Sequence, residues 1–380
     1  MPKQRRSLSM PRTAGKIYRD GNSATAKVLV EFVGKGTVVD PFCGSGTVLV
    51  EARAAGMRAI GVDLNPLAVL IARAKTWTVP PRRRNELSKT GHAIAGAAIA
   101  AGKAARRSGA EPAKLRGPAG FDPNARNRRL ASWFQPHVRR ELEDLEARLD
   151  ELGRADRELA DVLTACLSAV LYKVSSRTSD TDPTWTERRV GRGQAARLFA
   201  QRVDLLAAGL ADLSRVHAAI PEVHELDVRR LGEVVPDGSA GGIVTSPPYA
   251  GTYDYAEHQR LRFDFFGLRH RELDAGELGS RRSFEDDAPA AYQAWKRGLA
   301  HSVATIARAL APGAVAALVV GDSVARGRAL YALDDLRDAL TADLTIEAWA
   351  SQERPMLGAG ERRAFGTRPK AEHAVVLRRT

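Results

Sequence analysis

The chain has 380 residues, 44% of them apolar and 27% charged, which is enough to bury a full core without cross-links. Wholesale disorder and a fibrous chain are excluded, and with no apolar run of roughly eighteen residues no membrane span is expected. Two cysteines, Cys43 and Cys166, cannot build a disulfide framework or a zinc cage, and eight scattered histidines give no support to a metal hydrolase, so no metal site is expected.

The net charge of +13 is unevenly spread. Residues 1–27 hold seven Lys/Arg against one acid, Asp20, and residues 80–132 hold twelve against three. Concentrated positive charge suits a polyphosphate partner, although a GC-rich coding bias also produces it. The basic start lacks a following apolar core, so no secretory signal is expected and a reducing cytoplasm is the default location.

In chain order, Thr37–Asp40 reads as a short buried strand that runs into a Pro-Phe-Cys-Gly-Ser-Gly turn. Thr47–Ala55 reads as a helix closed by Gly56, Arg58–Val62 as a second strand, and Pro66–Ala74 as a helix capped by Asn65. This βαβα text predicts a parallel sheet with helices on its faces. Residues 80–132 show no sustained apolar period and read as loop or partly disordered. Helices return in the stripe Leu159, Val162, Leu163, Cys166, Leu167, Val170 and Leu171, and again over Ala195–Leu213. The polar loop 175–183 lies between them. Alternation resumes with Val223–Leu226, Gly242–Thr245, a helix around 290–310, the very apolar strand Ala314–Val320, a helix near 330–341 and strands near 344–350 and 373–378. The simplest assembly is one α/β domain, 28–79 plus 218–380, behind a basic segment 1–27 and interrupted by a mostly helical insertion, 80–217.

Two regions carry chemistry. Asp40-Pro41-Phe42-Cys43-Gly44-Ser45-Gly46-Thr47 occupies a strand–turn–helix, where free helix N–H groups can face a ligand, and Asp63 ends the next strand, where a carboxylate can grip ribose hydroxyls. A dinucleotide fingerprint fails because Leu49 stands where a third glycine is needed, and a P-loop fails because no lysine follows Gly46. S-adenosylmethionine has a ribose and an adenine but no pyrophosphate, and its zwitterionic tail suits a glycine turn flanked by Asp40. The alternative is a glycine turn that merely packs a helix on a sheet.

Thr245-Ser246-Pro247-Pro248-Tyr249 follows a later strand at the same edge of the sheet. These motifs resemble those of the amino-group nucleic-acid methyltransferases, which implies as target an exocyclic amine on cytosine or adenine, a poor nucleophile because its lone pair is delocalised into the ring. An acceptor at Ser246 and the Pro247 carbonyl can hold both N–H groups and turn that lone pair towards a methyl donor. The two prolines stiffen the loop, and Tyr249 offers a face for a flipped base. The alternative is a Pro-Pro turn with a packed tyrosine. Methylation at carbon 5 of cytosine would need a cysteine nucleophile, and both cysteines read as packing residues.

Asp40–Thr47 together with Gly61-Val62-Asp63-Leu64-Asn65-Pro66 resembles motifs I and II of the amino-group nucleic-acid methyltransferases, and RNA methyltransferases share these motifs. Ser246–Tyr249, then Tyr253-Asp254-Tyr255 and Phe265-Phe266-Gly267-Leu268, resembles the DNA methylases with an S-P-P-Y motif IV. The resemblance covers about half the chain and does not extend to the insertion. It implies a Rossmann-like methyltransferase fold, with a mostly parallel seven-stranded sheet and a final antiparallel strand, and S-adenosylmethionine as cofactor. The residues it implies for cofactor binding are Asp40, Pro41, Phe42, Cys43, Gly44, Gly46, Thr47, Asp63, Leu64, Asn65 and Asp227, the last also readable as a polar strand end. Ser246, Pro247, Pro248 and Tyr249 are implied in catalysis. Tyr249, Asp254 and Tyr255 are implied in target binding, with a helix cap and a packed aromatic as the other reading of the last two. Gly321-Asp322-Ser323 reads as structural. The implied partner is DNA, in a restriction–modification setting, with cytosine N4 favoured over adenine N6. An RNA base methyltransferase is the alternative, and a nucleic-acid-binding protein with a vestigial fold is the second. An Asn-Pro-Pro-Tyr relative that methylates a protein glutamine shows that motif IV alone does not prove nucleic acid.

Overall fold

The computed structural model describes residues 22–34, 36–108, 130–177, 188–252, 254–268, 273, 276–356, 358–366 and 368–380. Residues 1–21, 109–129, the loop 178–187 with Trp185, and Tyr253 lie outside the described residues, as does the side chain of Tyr255.

Seven strands form one sheet: β1 (Val38–Asp40), β2 (Ala59–Asp63), β3 (Glu222–Glu225), β4 (Ala240–Thr245), β5 (Leu310–Gly321), β6 (Leu344–Glu353) and β7 (Ala371–Arg379). Their order is β3-β2-β1-β4-β5-β7-β6. The pairs from β3 to β5 are parallel, and β7 runs antiparallel between β5 and β6. This is the expected Rossmann-like methyltransferase sheet. From β1 the chain winds outwards to β2 and β3, and from β4 it winds the other way, so a crevice opens where the order reverses, at the carboxyl ends of β1 and β4.

Local chemistry sets the flanking helices. Helix α1 (Asn22–Val33) packs on α2 (Thr47–Ala54), which follows the β1 turn. Helix α3 (Pro66–Thr76) begins at Asn65, whose side chain accepts from the Leu67 and Ala68 amides at 2.9 and 3.3 Å, with Pro66 in the first turn. Gly46 has φ +78°, and a Cβ there would stand 2.8 Å from that of Ala72, so glycine lets the start of α2 rest on α3. Beyond β5, the buried Asp322 carboxylate accepts from the Ala332 and Ala371 amides, both at 3.0 Å, and faces His373 Nε2 at 3.3 Å. It ties the end of β5 to β7, the structural part read for this segment.

Between α3 and β3 the chain inserts α4 (Pro81–Ser108), α5 (Pro136–Ala155), α6 (Arg157–Ser168), a 3₁₀ turn (Leu171–Val174) and α7 (Gln194–Leu213). Helix α4 corrects the expectation of a flexible stretch after residue 80. Its buried face is Leu87, Gly91, Ile94, Ala95 and Ala98 at helical spacing, made largely of residues too small to register as an apolar stripe. Alanine is the strongest helix former, and a Cβ at Gly91 would stand 2.8 Å from Val203, so the small residues let α4 lie close against α7. Buried Glu141 on α5 accepts from the Gly193 and Ala196 amides at 2.9 and 2.7 Å, satisfying the open end of α7. The core of the insertion is continuous with the rest. Leu87, Leu142, Leu163 and Phe199 pack in one cluster with Ala74 and Trp77 after β2 and with Leu261 and Phe265 of α8 (Arg260–Phe266). Among the described residues no helix is long and apolar enough to cross a membrane.

Candidate active site

A cleft of about 270 Å³ lies at the carboxyl edge of the sheet. Its wall takes Pro41, Phe42, Gly44 and Ser45 from the turn after β1, and Asp63, Leu64 and Asn65 from the end of β2. Asp227 and Arg229 come from beyond β3, and Ser246 and Pro248 from beyond β4. The four strand ends thus deliver both sequence motifs to one cavity.

Asp63 accepts from the Gly44 amide at 2.8 Å through one oxygen and from the Asn65 amide at 2.8 Å through the other. It therefore clamps the two motif turns together while presenting its remaining lone pairs to the cleft. Burial raises its pKa, and the Asn65 and Gly44 amides pull it back in part.

Asp40 sits differently from the expectation of a ligand-facing carboxylate. It is buried and does not line the cleft; one oxygen accepts from Thr245 Oγ1 at 2.6 Å and from the Phe42 amide at 3.2 Å, locking β1 to β4 directly below motif IV. Burial lifts its pKa from 3.8 to about 7, against the Thr245 hydroxyl and Phe42 amide and with the help of the Asp63 charge. A raised acid pKa means that the folded protein holds the proton while the unfolded chain has lost it, so stability falls as pH rises between about 4 and 7. Asp40→Asn keeps the accepting oxygen and should flatten the Asp40 part of that decline, read as melting temperature against pH beside the parent. An identical pH profile would contradict the assignment.

Asp227 does line the cleft, and it also opens the 3₁₀ turn Val228–Glu233 by accepting from the Arg229 amide at 2.8 Å. The Arg229 guanidinium binds the same carboxylate at 2.9 and 2.5 Å. Partial burial pushes the Asp227 pKa up, but the Arg229 side chain and amide outweigh it and the net shift is downward. Arg229 carries no motif signal, and its pairing with Asp227 is visible in the structure alone.

In motif IV, Ser246 is exposed at the cleft, and its hydroxyl donates to the Val319 carbonyl at 3.1 Å. With its one proton committed, the oxygen meets a ligand as an acceptor. Pro247 is buried, and the Pro248 carbonyl accepts from Trp295 Nε1 at 3.0 Å, on helix α9 (Ala288–Ala309). The Tyr249 ring lies against Gly321, where a Cβ would stand 2.6 Å from it, and its hydroxyl donates to Glu372 Oε1 at 3.2 Å. Tyr249 lies beside the cleft described above, outside its lining.

Other expected site residues stand behind the wall. Cys43, Gly46 and Thr47 do not line the cleft; Cys43 is buried, and burial followed by the Asp63 and Asp40 charges pushes its thiol well above the usual range. Burial lifts Cys166 to about 12. Neither thiol supplies a thiolate nucleophile. Asp254 accepts from Ser280 Oγ at 2.7 Å and from the Arg282 amide at 3.2 Å, tying the segment after motif IV to the start of the helix Arg281–Asp286. The sequence motifs give no sign of Gln259, Leu273, Gly276, Glu277 and Leu278, which close the cleft from the segment after motif IV.

The donor set fits S-adenosylmethionine. Three carboxylate residues, Asp63, Asp227 and Glu277, line the cavity for hydroxyl and amino groups, and Leu64, Ile71, Leu226 and Leu273 provide apolar wall for an adenine. Gly44 lines the cleft at φ +49° with nothing within 4 Å of a hypothetical Cβ, so the space beside its α-carbon is open while its amide is held by Asp63. The sheet order and the cleft at its carboxyl edge are those of a Rossmann-like methyltransferase fold. Residues 24–74 match the model of a DNA methylase family, of N6 and N4 type. Over 44 residues it is 48% identical to the Type II methyltransferase M.MvaI of Kocuria varians, a match covering 12% of this chain and 10% of that protein. Among solved structures, TrmN from Thermus thermophilus is similar at 12% identity and a TM-score of 0.36, over 94% of this chain and 49% of that one. The rRNA methyltransferase aviRa from Streptomyces viridochromogenes is similar at 14% identity and a TM-score of 0.31, over 96% and 88%. The chain thus aligns with a tenth of its curated relative and half of TrmN.

Proposed function

We propose that the protein transfers a methyl group from S-adenosylmethionine to the exocyclic amino group of a base in DNA, with cytosine N4 favoured over adenine N6. The observation that carries this reading is Ser246, an acceptor at the cleft wall next to Pro247 and Tyr249, in one cavity with the Asp63 clamp. The cofactor supplies an electrophilic methyl on a sulfonium. Ser246 Oγ and the Pro247 carbonyl accept hydrogen bonds from the two amino N–H groups and steer the nitrogen lone pair towards it, while Tyr249 stacks on the base; one of the two protons is lost to solvent from the methylated nitrogen, and the other remains on the product. Rate enhancement then comes from positioning and from dipoles fixed in advance, with no covalent enzyme intermediate.

The test is transfer of labelled methyl from the cofactor to DNA, RNA or neither by purified protein. Label in DNA supports the reading; label confined to RNA would move the substrate to the alternative polymer, and no transfer to either would leave a nucleic-acid-binding protein.

The exposed Arg82, Arg106 and Arg107 of α4 are assigned to the DNA phosphates. Arg83 is not, because its guanidinium already pairs with Asp156 and Glu86 at 2.6 and 2.7 Å. Replacing the three exposed arginines with glutamine should flatten the dependence of log affinity on log salt by roughly 0.9 for each duplex phosphate that is no longer neutralised. An unchanged slope would make α4 a solvated helix.

A further inference from the structure

We propose that the insertion carries a binding platform for the nucleotides flanking the target base, built from Trp133, Tyr172, Arg177, Arg188 and Arg262. The proposal rests on the nucleic-acid reading above and concerns residues that no sequence motif marks. A series of planar groups starts at the cleft and runs outwards. Gln259 lines the cleft, and Arg262 Nη1 donates to its Oε1 at 2.7 Å, while Arg262 Nε donates to the Ser168 carbonyl at 3.1 Å. The Arg262 guanidinium lies over the Tyr172 ring, 4.5 Å from its centroid. Tyr172 donates its hydroxyl to the His258 carbonyl at 2.8 Å, which fixes the insertion to the chain beside Gln259. Trp133 meets Tyr172 edge-on, with centroids 5.8 Å apart, and the Arg177 guanidinium covers the Trp133 ring at 4.6 Å. Arg188 is exposed and is held by the Tyr172 and Lys173 carbonyls at 3.4 and 3.1 Å.

Packing alone accounts for the two rings. It does not account for three guanidinium groups gathered around them in a series of contacts that begins at the cleft residue Gln259. Aromatic and guanidinium planes are the surfaces on which unpaired bases stack, and the same arginines supply donors for the adjoining phosphates. A nucleotide drawn out of a duplex into the cleft leaves its neighbours partly unstacked, and the planar series lies where the cleft wall meets the insertion. A base that displaces Arg177 from the Trp133 ring stacks there, the released Arg177 joins Arg188 at the phosphates, and Arg262 positions Gln259 at the cleft.

The test uses the full chain and DNA oligonucleotides carrying 5-iodouracil on either side of the target base. Photo-crosslinking followed by peptide mass spectrometry should place the adduct on Trp133 or Tyr172. The double variant Arg177→Gln with Arg188→Gln, and separately Trp133→Leu, should bind DNA about fivefold more weakly or worse, the low end for removal of one stacked base, with S-adenosylmethionine affinity unchanged. The arginine variant keeps the test valid should Trp133→Leu disturb the core. If the parent protein binds and methylates DNA, yet crosslinks fall elsewhere and both variants bind like the parent, the platform is overturned alone. Failure of the parent to bind DNA at all overturns the platform and the nucleic-acid reading together.

Discussion

Asp63→Ala is expected to produce the largest drop in cofactor affinity of any single change at the cleft. The side chain accepts from two amides, Gly44 and Asn65, at 2.8 Å each, and faces the cavity. Hydrogen bonds to a charged group contribute ~1.5–3 kcal/mol, so removing the ribose hydrogen bond alone should weaken S-adenosylmethionine binding by ~10–150-fold. The two amides left without an acceptor each cost a further ~1–3 kcal/mol where they stay dry, so the melting temperature should fall as well. Calorimetry on the folded variant separates the effects. An unchanged affinity with a lowered melting temperature would make Asp63 a purely structural clamp.

The second large effect is expected at Tyr249. Replacing it with alanine removes the ring that lies against Gly321 and the bond to Glu372, while leaving the Asp63 clamp in place. Base stacking contributes ~1–3 kcal/mol, which predicts a fall of ~5–150-fold in kcat/KM for methyl transfer with little change in cofactor affinity. Tyr249→Phe keeps the ring and should keep most of the transfer. If the alanine variant transfers at the parent rate, Tyr249 is a packing residue of the β5–β7 edge.

Much of this site is legible in the sequence because its parts are local. The Asn65-Pro66 helix start, the glycine turn after β1 and the Ser246–Tyr249 loop each announce themselves within a few residues, and strand alternation orders them along one sheet edge. What escapes depends on interactions between distant segments or on the direction a side chain takes. Asp40 and Asp63 look equivalent as strand-end carboxylates, yet one turns under the sheet to Thr245 and the other faces the cleft. Arg229 at Asp227, Trp295 at Pro248 and the wall from Gln259 to Leu278 have no local signature. Helix α4 escapes because alanine and glycine do the packing there, with Gly91 set against Val203. The insertion reads as a separate unit, whereas its core runs into Trp77 and Phe265.

The methyl group is expected on an exocyclic nitrogen. Digestion of DNA methylated by the purified protein, with the modified nucleoside identified by mass spectrometry against standards, tests it directly. N4-methylcytosine is the expected product; N6-methyladenine would keep the chemistry and change the base. Methyl on carbon 5 of cytosine would rule out an amino-group target, because that reaction needs a thiolate and both cysteines are buried with raised pKa values.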